Sequence, residues 1–213
     1  MTIEYTTKSW NPVTGCVRPP ECPIQENCWA KDMARRYPTS VGGDFQPRFH
    51  PDRLNTPLKW REPRTVAVSF MGDLFGHGVS DEWIKSVLGV VKECAATSRY
   101  DGSFLGPQHR FLFLTKNPQR LAEFNPWPPN AWVGTTITGA EPVERQKQML
   151  EDLLKVEGGH RWISFEPMLG YWLQDMKGLE LFVMGAQARR KADAHLHYWW
   201  NTGWNEAHGF HGI

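Results

Sequence analysis

Cysteine is scarce in this chain of 213 residues: three lie close together at Cys16, Cys22 and Cys28, and the fourth stands alone at Cys94. So few thiols exclude the disulfide framework of a small secreted protein. An excess of either charge is also lacking. With 24 Lys and Arg against 23 Asp and Glu, the formal net charge is +1, so no global field draws the protein to nucleic acid or an anionic membrane. Any such contact must come from a local patch. No apolar run reaches the length of a bilayer span, and Met1-Thr2-Ile3-Glu4-Tyr5 lacks the charged start and apolar core of a secretory signal. The expectation is a cytoplasmic protein with reduced thiols and no membrane partner. The length suits one domain over residues 1–213, near the lower limit for an α/β barrel. Tryptophan, in contrast, is plentiful at 11 residues, which points to large flat contacts in a core or in a pocket for a planar ligand.

The three clustered cysteines lie in Gly15-Cys16-Val17-Arg18-Pro19-Pro20-Glu21-Cys22-Pro23-Ile24-Gln25-Glu26-Asn27-Cys28-Trp29-Ala30. Two disulfides would consume all four thiols, but Cys94 sits in an amphipathic stretch where a small buried residue is expected. An odd set of three is left. Three thiolates suit an iron-sulfur cluster with one iron open to a substrate or cofactor. A zinc site completed by His50 or His77 is an alternative, although neither has the short spacing of a zinc finger. Unligated thiols, or one disulfide with a spare thiol, are another; a loop rich in proline and polar residues is a poor place to bury them.

Downstream, Trp29 to Tyr37 reads as a short helix and residues 38–63 as irregular. A repeating pattern then begins. Thr65 to Met71 is an apolar strand run ending in Gly72-Asp73, followed by a helix from Ser80 to Thr97 with Ser80 as N-cap. Arg110 to Lys116 is the next strand, with a short helix from Pro118 to Phe124. Ala131 to Ile137 follows, returning through a helix from Pro142 to Val156 that places Gln146, Met149, Leu150 and Leu153 on one face. Arg161 to Glu166 and Glu180 to Met184 are further strands, and Ser9 to Pro12 makes six. Strands alternating with helices imply a parallel sheet covered on both faces, as in an open or closed α/β barrel. Ligands gather at the carboxyl ends of such strands, which here carry Asp73, Lys116, Thr136, Glu166 and Gln187. Each alone reads better as a solvated turn residue; together they are expected to share one mouth. Residues 188–213 form a basic, aromatic tail, with Arg189, Arg190, Lys191, His195, His197, Tyr198, Trp199, Trp200 and Trp204. It reads either as a nucleic-acid-binding segment or as a packed C-terminal helix.

Trp10-Asn11-Pro12-Val13-Thr14-Gly15-Cys16, the second and third cysteines with Trp29-Ala30, Gly72-Asp73-Leu74-Phe75, Leu114-Thr115-Lys116 and Ser164-Phe165-Glu166-Pro167 together resemble the phage-associated three-cysteine-motif proteins. That family is similar to radical S-adenosylmethionine (SAM) enzymes. The resemblance runs from about Trp10 to Gly185, and the spacing C-x5-C-x5-C departs from the common radical-SAM C-x3-C-x2-C. It implies a partial (β/α)6 barrel, with the cysteine loop at 16–28 and barrel units over about 65–187. Cys16, Cys22 and Cys28 would hold a 4Fe-4S cluster. SAM would chelate the open iron, and one-electron reduction would release methionine and a 5'-deoxyadenosyl radical. By the same resemblance Gly72 and Asp73 would meet the SAM amino group, Thr136 and Thr138 the ribose hydroxyls, and Trp29 the cofactor. Lys116 would meet a carboxylate or a substrate anion, and Glu166 would hold or deprotonate substrate.

The function this implies is a phage-encoded radical SAM enzyme acting on a modified nucleobase, with a one-electron donor as further partner. The chain ends soon after the sixth strand, which leaves little for an auxiliary-cluster domain and favours a radical isomerisation of an amino-acid-like base substituent over sulfur insertion. Two other readings stand beside it. One is a non-catalytic zinc- or cluster-stabilised module binding nucleic acid or a host partner. The other is a repair enzyme acting on a flipped base, for which Trp29, Phe75 and Trp132 are candidate flanking aromatics.

Overall fold

A computed structural model describes residues 5–17, 22–24, 28–95, 108–171, 175–186 and 196–200. Its main element is a mixed sheet. Strands β1 (Lys8–Trp10), β4 (Thr65–Val68), β5 (Arg110–Thr115), β6 (Trp127–Thr136), β7 (Gly158–Met168) and β8 (Leu181–Ala186) run parallel in that spatial order. A seventh, β9 (Leu196–Trp200), pairs antiparallel with β8 at the edge. The short strands β2 (Val13–Thr14) and β3 (Arg48–Phe49) pair with each other outside the sheet. Between them come α1 (Trp29–Arg36) and α2 (Pro38–Val41), and α3 (Pro51–Leu54) follows β3. The long helices are α4 (Asp81–Ala95) and α5 (Val143–Leu154). The chain is thus a single α/β domain, and its sheet is open among the described residues, with β1 and β9 as edges.

The strand runs read as continuously apolar because both faces are buried, each by different neighbours. Val66, Val68, Phe111, Phe113, Val133 and Ile163 face the helices, where Ile84, Val87, Leu88 and Val91 of α4 and Met149, Leu150 and Leu153 of α5 meet them. The alternate residues Leu112, Trp132, Trp162, Leu181 and Val183 form a second cluster on the other face, joined by Tyr5, Phe70 and Leu114. Among the described residues, that second cluster contains no helix residue. Both faces are covered, as expected, but by different means among the described residues: α4 and α5 pack on one face, and the strands' own large side chains fill the other. Trp162, fully buried, lies across β6 and donates its indole N–H to the carbonyls of Phe113 and Trp132 at 3.1 and 3.2 Å. A Cβ at Gly134 would stand 2.4 Å from that nitrogen, so only glycine admits the ring there.

α4 begins as its sequence directs. The Trp83 amide donates to Ser80 Oγ at 3.4 Å, with Asp81 and Glu82 in the first turn. Several expectations shift in detail. Residues 118–124 form a 3-10 helix, and Pro142 is the N-cap of α5 instead of its first helical residue. The segment 38–63 contains the short pieces α2, β3 and α3 and a 3-10 turn over Pro57–Lys59, where an irregular chain was expected. In the tail, Leu196–Trp200 is a strand and not a helix; Gln187, Arg189, Arg190, Lys191, His195 and Trp204 lie outside the described residues.

Candidate active site

The cysteine loop is held against the carboxyl ends of the sheet by backbone contacts. Gly15 N–H donates to the Met71 carbonyl at 2.9 Å, Asp73 N–H donates to the Gly15 carbonyl at 3.3 Å, and Cys16 N–H donates to the Phe45 carbonyl at 2.9 Å. Gly15 and Gly72 form a parallel bridge. A Cβ on Gly72 would stand 2.2 Å from the Gly15 carbonyl oxygen, so the two strands of chain approach too closely for any side chain at 72. The Trp10-Asn11-Pro12 motif explains itself here. Trp10 Nε1 donates to the Arg53 carbonyl at 2.9 Å, Asn11 Oδ1 accepts from the Met71 amide at 3.1 Å, and the Pro12 carbonyl accepts from the His50 amide at 2.8 Å. These bonds tie the end of β1 to the segments on either side of the mouth.

One cavity of about 120 Å³ results, and Cys16, Cys22 and Cys28 all line it. From the strand ends come Gly72 and Asp73 after β4, Thr115 and Lys116 of β5 and its following turn, and Thr136 of β6. Trp29, the first residue of α1, stands at the rim and is 45% exposed. Behind the thiols, Ala30, Ala34, Val41 and Phe45 make a small apolar cluster with Cys16, Cys28 and Met71 packed against it. Burial, chiefly, and the neighbouring Asp73, Cys22 and Cys28 charges push the Cys16 thiol up to about 12, against which Lys116 acts in the opposite sense. Without a cation beside it, that thiol stays protonated at neutral pH.

Asp73 is the organising residue of the mouth. Its Oδ1 accepts from the Phe75 amide at 3.0 Å and from Thr115 Oγ1 at 2.7 Å, and its Oδ2 accepts from the Lys116 amide at 3.0 Å. The carboxylate thereby joins the loop after β4 to the end of β5. Thr115 had no assigned part in the sequence reading, although it lies inside the Leu114-Thr115-Lys116 motif; its hydroxyl is what makes that motif legible.

Two other candidates lie apart from this cavity. Thr138 is fully buried, and its amide and hydroxyl both donate to Glu141 Oε2, at 2.9 and 3.0 Å. It secures the turn between β6 and α5 and does not line the cysteine cavity. Glu166, on the same strand face as Trp162, accepts at Oε2 from Ser164 Oγ at 2.8 Å and from the Tyr5 hydroxyl at 3.3 Å. Of the aromatics considered for a flipped base, Phe75 is buried in the helix-side core and Trp132 in the opposite cluster, leaving Trp29 at the mouth. The histidines considered for zinc do not line the cavity either: His50 Nε2 is 2.8 Å from Thr14 Oγ1, and the exposed His77 pairs through its backbone with Val17. Among the described residues, no three His, Cys, Asp or Glu side chains stand close enough together to hold a single metal ion.

Fold and site thus define an α/β protein with a thiol-lined cavity at the carboxyl ends of a mostly parallel sheet. Residues 1–207 match the family model described as a protein of unknown function (DUF5131), and the chain belongs to that family. No curated protein and no solved structure matches the chain significantly.

Proposed function

We propose that this protein is a radical SAM enzyme built on a partial (β/α)6 barrel, acting on a nucleobase or nucleotide in phage DNA modification, with radical isomerisation of an amino-acid-bearing base as the reaction. The observation that carries the reading is the lining of a single cavity by three cysteines together with Gly72, Asp73, Lys116 and Thr136. The donor set fits a 4Fe-4S cluster. Three thiols ring a space instead of closing on a point, which a cube of iron and sulfide requires and a single zinc ion does not. The desolvated Cys16 thiol would ionise only when a metal supplies the compensating charge. When bound, the cluster and SAM would supply a 5'-deoxyadenosyl radical that takes a hydrogen atom from the substrate.

The chain's own groups have definable parts. Asp73 is fixed by three donors, so its carboxylate can meet an ammonium group without rearranging. Lys116 offers a positive charge to a carboxylate or phosphate, and Thr136 offers a hydroxyl from the next strand. Trp29 offers an exposed stacking face for a base at the rim. Anaerobic purification, followed by SAM and a one-electron reductant, tests the reading through iron, labile sulfide and 5'-deoxyadenosine measured together. Cluster with SAM cleavage is expected; stoichiometric zinc without cleavage would replace the radical mechanism with a binding module. The polymer form of the substrate has its own check, since affinity for single-stranded DNA should fall steeply between 50 and 200 mM salt, on the order of the losses known for multi-phosphate contacts.

A further inference from the structure

With a net charge of +1, contact with a polyanion needs a local patch, and α1 carries one. Residues 33–43 contain two arginines and a tyrosine and no Asp or Glu. From Arg35 through Arg36 and Tyr37 to Ser40 the chain is exposed without interruption. Two exposed aromatics bracket the arginines: Trp29, the first residue of α1, is 45% exposed, and Tyr37, its C-cap, is 55% exposed.

Helical geometry sets these groups along one path. Ala30 and Ala34, four residues apart, turn inward and are buried with Val41 and Phe45, which leaves Trp29 and Arg36 outward. Seven residues at about 100° each bring Arg36 back to within about 20° of Trp29, roughly 10 Å farther along the axis. Arg35 stands next to Arg36 with its side chain 71% exposed. Its ion pair with Asp32, at 3.5 Å and with that partner 53% exposed, is of the weak, solvated kind that a phosphate can replace. Trp29 also stands at the rim of the cysteine cavity, whereas Arg35, Arg36 and Tyr37 lie beyond its lining. The patch is therefore continuous with the mouth at one end.

Guanidinium groups interleaved with exposed rings suit one class of partner. Arginine forks match phosphate oxygens, and unstacked bases lie on aromatic faces. Duplex DNA keeps its bases stacked away from such rings, and an acidic protein would meet the cations but leave the rings without a flat partner. We infer that the outward face of α1 is the docking surface for a single-stranded nucleic acid, whose phosphates meet Arg35 and Arg36 and whose bases stack on Tyr37 and, at the mouth, on Trp29. This surface rests on the nucleobase part of the proposed function and makes no use of the radical chemistry.

Fluorescence anisotropy of a labelled oligothymidylate of about twelve nucleotides, titrated with the full chain at about 50 and 200 mM salt, tests it. An abasic oligomer of the same length and charge separates stacking from charge. The parent chain is expected to bind oligothymidylate at least about fivefold tighter than the abasic oligomer. Arg35→Ala combined with Arg36→Ala should weaken both oligomers about tenfold or more at the lower salt, and reduce the slope of log K against log salt by about 1.4, the value for two phosphate contacts. Tyr37→Ala should remove most of the preference for bases and leave that slope unchanged. As a control, Lys85→Ala combined with Lys92→Ala takes two exposed charges, also seven residues apart, from α4 and should change binding by less than about twofold. Thermal melts establish that every variant is folded. Iron content and 5'-deoxyadenosine release, measured on the same preparations, keep this surface and the radical reading apart. SAM cleavage without oligonucleotide binding would overturn the docking surface alone, whereas binding that depends on Arg35 and Arg36 in a chain that does not cleave SAM would support it and remove the radical chemistry. Unchanged binding in the arginine variant, an equal loss in the α4 control, or equal affinity of the parent for the abasic oligomer would each overturn the assignment.

Discussion

Gly72 carries a tight steric constraint in the mouth without a left-handed backbone of its own, and it makes the clearest single-residue test. Adding one methyl group there sets its carbon 2.2 Å from the Gly15 carbonyl oxygen, and a backbone atom cannot yield by a rotamer change. Gly72→Ala should destabilise the protein by about 2–4 kcal/mol and separate the cysteine loop from the strand ends. Denaturant melts beside iron content would check both effects, and a stable variant with full iron would contradict the described contact. Asp73 presents a subtler case. Because its carboxylate accepts three hydrogen bonds, Asp73→Asn sets an amide donor against the Phe75, Thr115 or Lys116 donors and should cost about 2 kcal/mol whether or not SAM binds. Weak SAM binding by that variant would therefore report structure as much as recognition. Thr136→Val separates the two, since it keeps the shape and removes only the hydroxyl from the cavity wall. It should weaken SAM binding several-fold while the melting temperature stays within about 2 °C; unchanged affinity would remove Thr136 from the cofactor site.

At the scale of elements, α4 offers a contrast to Gly72. Gly89 sits mid-helix on the exposed side, with nothing within 4 Å of a built Cβ. Gly89→Ala should stabilise by about 0.5–1 kcal/mol, a gain a chemical melt can resolve, and a loss would mean the exposed face of α4 is covered by something. Elements like α4 were legible from the sequence because local signals agree: a Ser cap, acidic first turn and apolar residues at helical spacing. Five of the six parallel strands were legible as apolar runs; β1, Lys8-Ser9-Trp10, is not one. What the runs could not tell was which face met helices, since Trp162 filling one face reads the same as Trp162 under a helix. The convergence of Asp73, Lys116 and Thr136 was legible because strand-end position fixes it, whereas the place of Cys16 beside them was an expectation from the resemblance. Thr138 and Glu166 sit at the same ends, yet side-chain partners only two or three residues away, Glu141 and Ser164, engage them. Position alone carries no information about such local capture. Short pieces such as β2, β3 and β9 depend on long-range pairing, which composition does not announce.

The whole molecule links these scales through its thiols. The mouth is assembled from segments scattered from Cys16 to Thr136 and rests on the sheet's own strand ends, so its protonation state is felt by the global fold. Cys16 is raised to about 12 and Cys94, by burial at the end of α4, to about 11, from an ordinary value of 9.0. A group whose folded pKa exceeds its unfolded pKa stabilises the fold fully below the unfolded value. It then loses that contribution as pH rises towards the folded value, because the unfolded chain releases the proton first. Metal-free protein should therefore lose stability as pH climbs from about 9 towards 11, with Cys16 contributing up to about 12. Other groups titrate in this range as well, so the comparison must be differential. Cys94→Ala should show a shallower alkaline fall in its urea midpoint than the parent chain between pH 8 and 10.5. Parallel curves would mean that Cys94 is not desolvated in the folded state. Loading the cysteine mouth with metal should flatten the parent curve further, since a bound cation holds Cys16 as thiolate in the folded state and removes the proton that its burial otherwise retains. A flattening seen with Cys94→Ala but not with metal would place the alkaline sensitivity at α4 alone and leave the three clustered thiols energetically separate from the sheet.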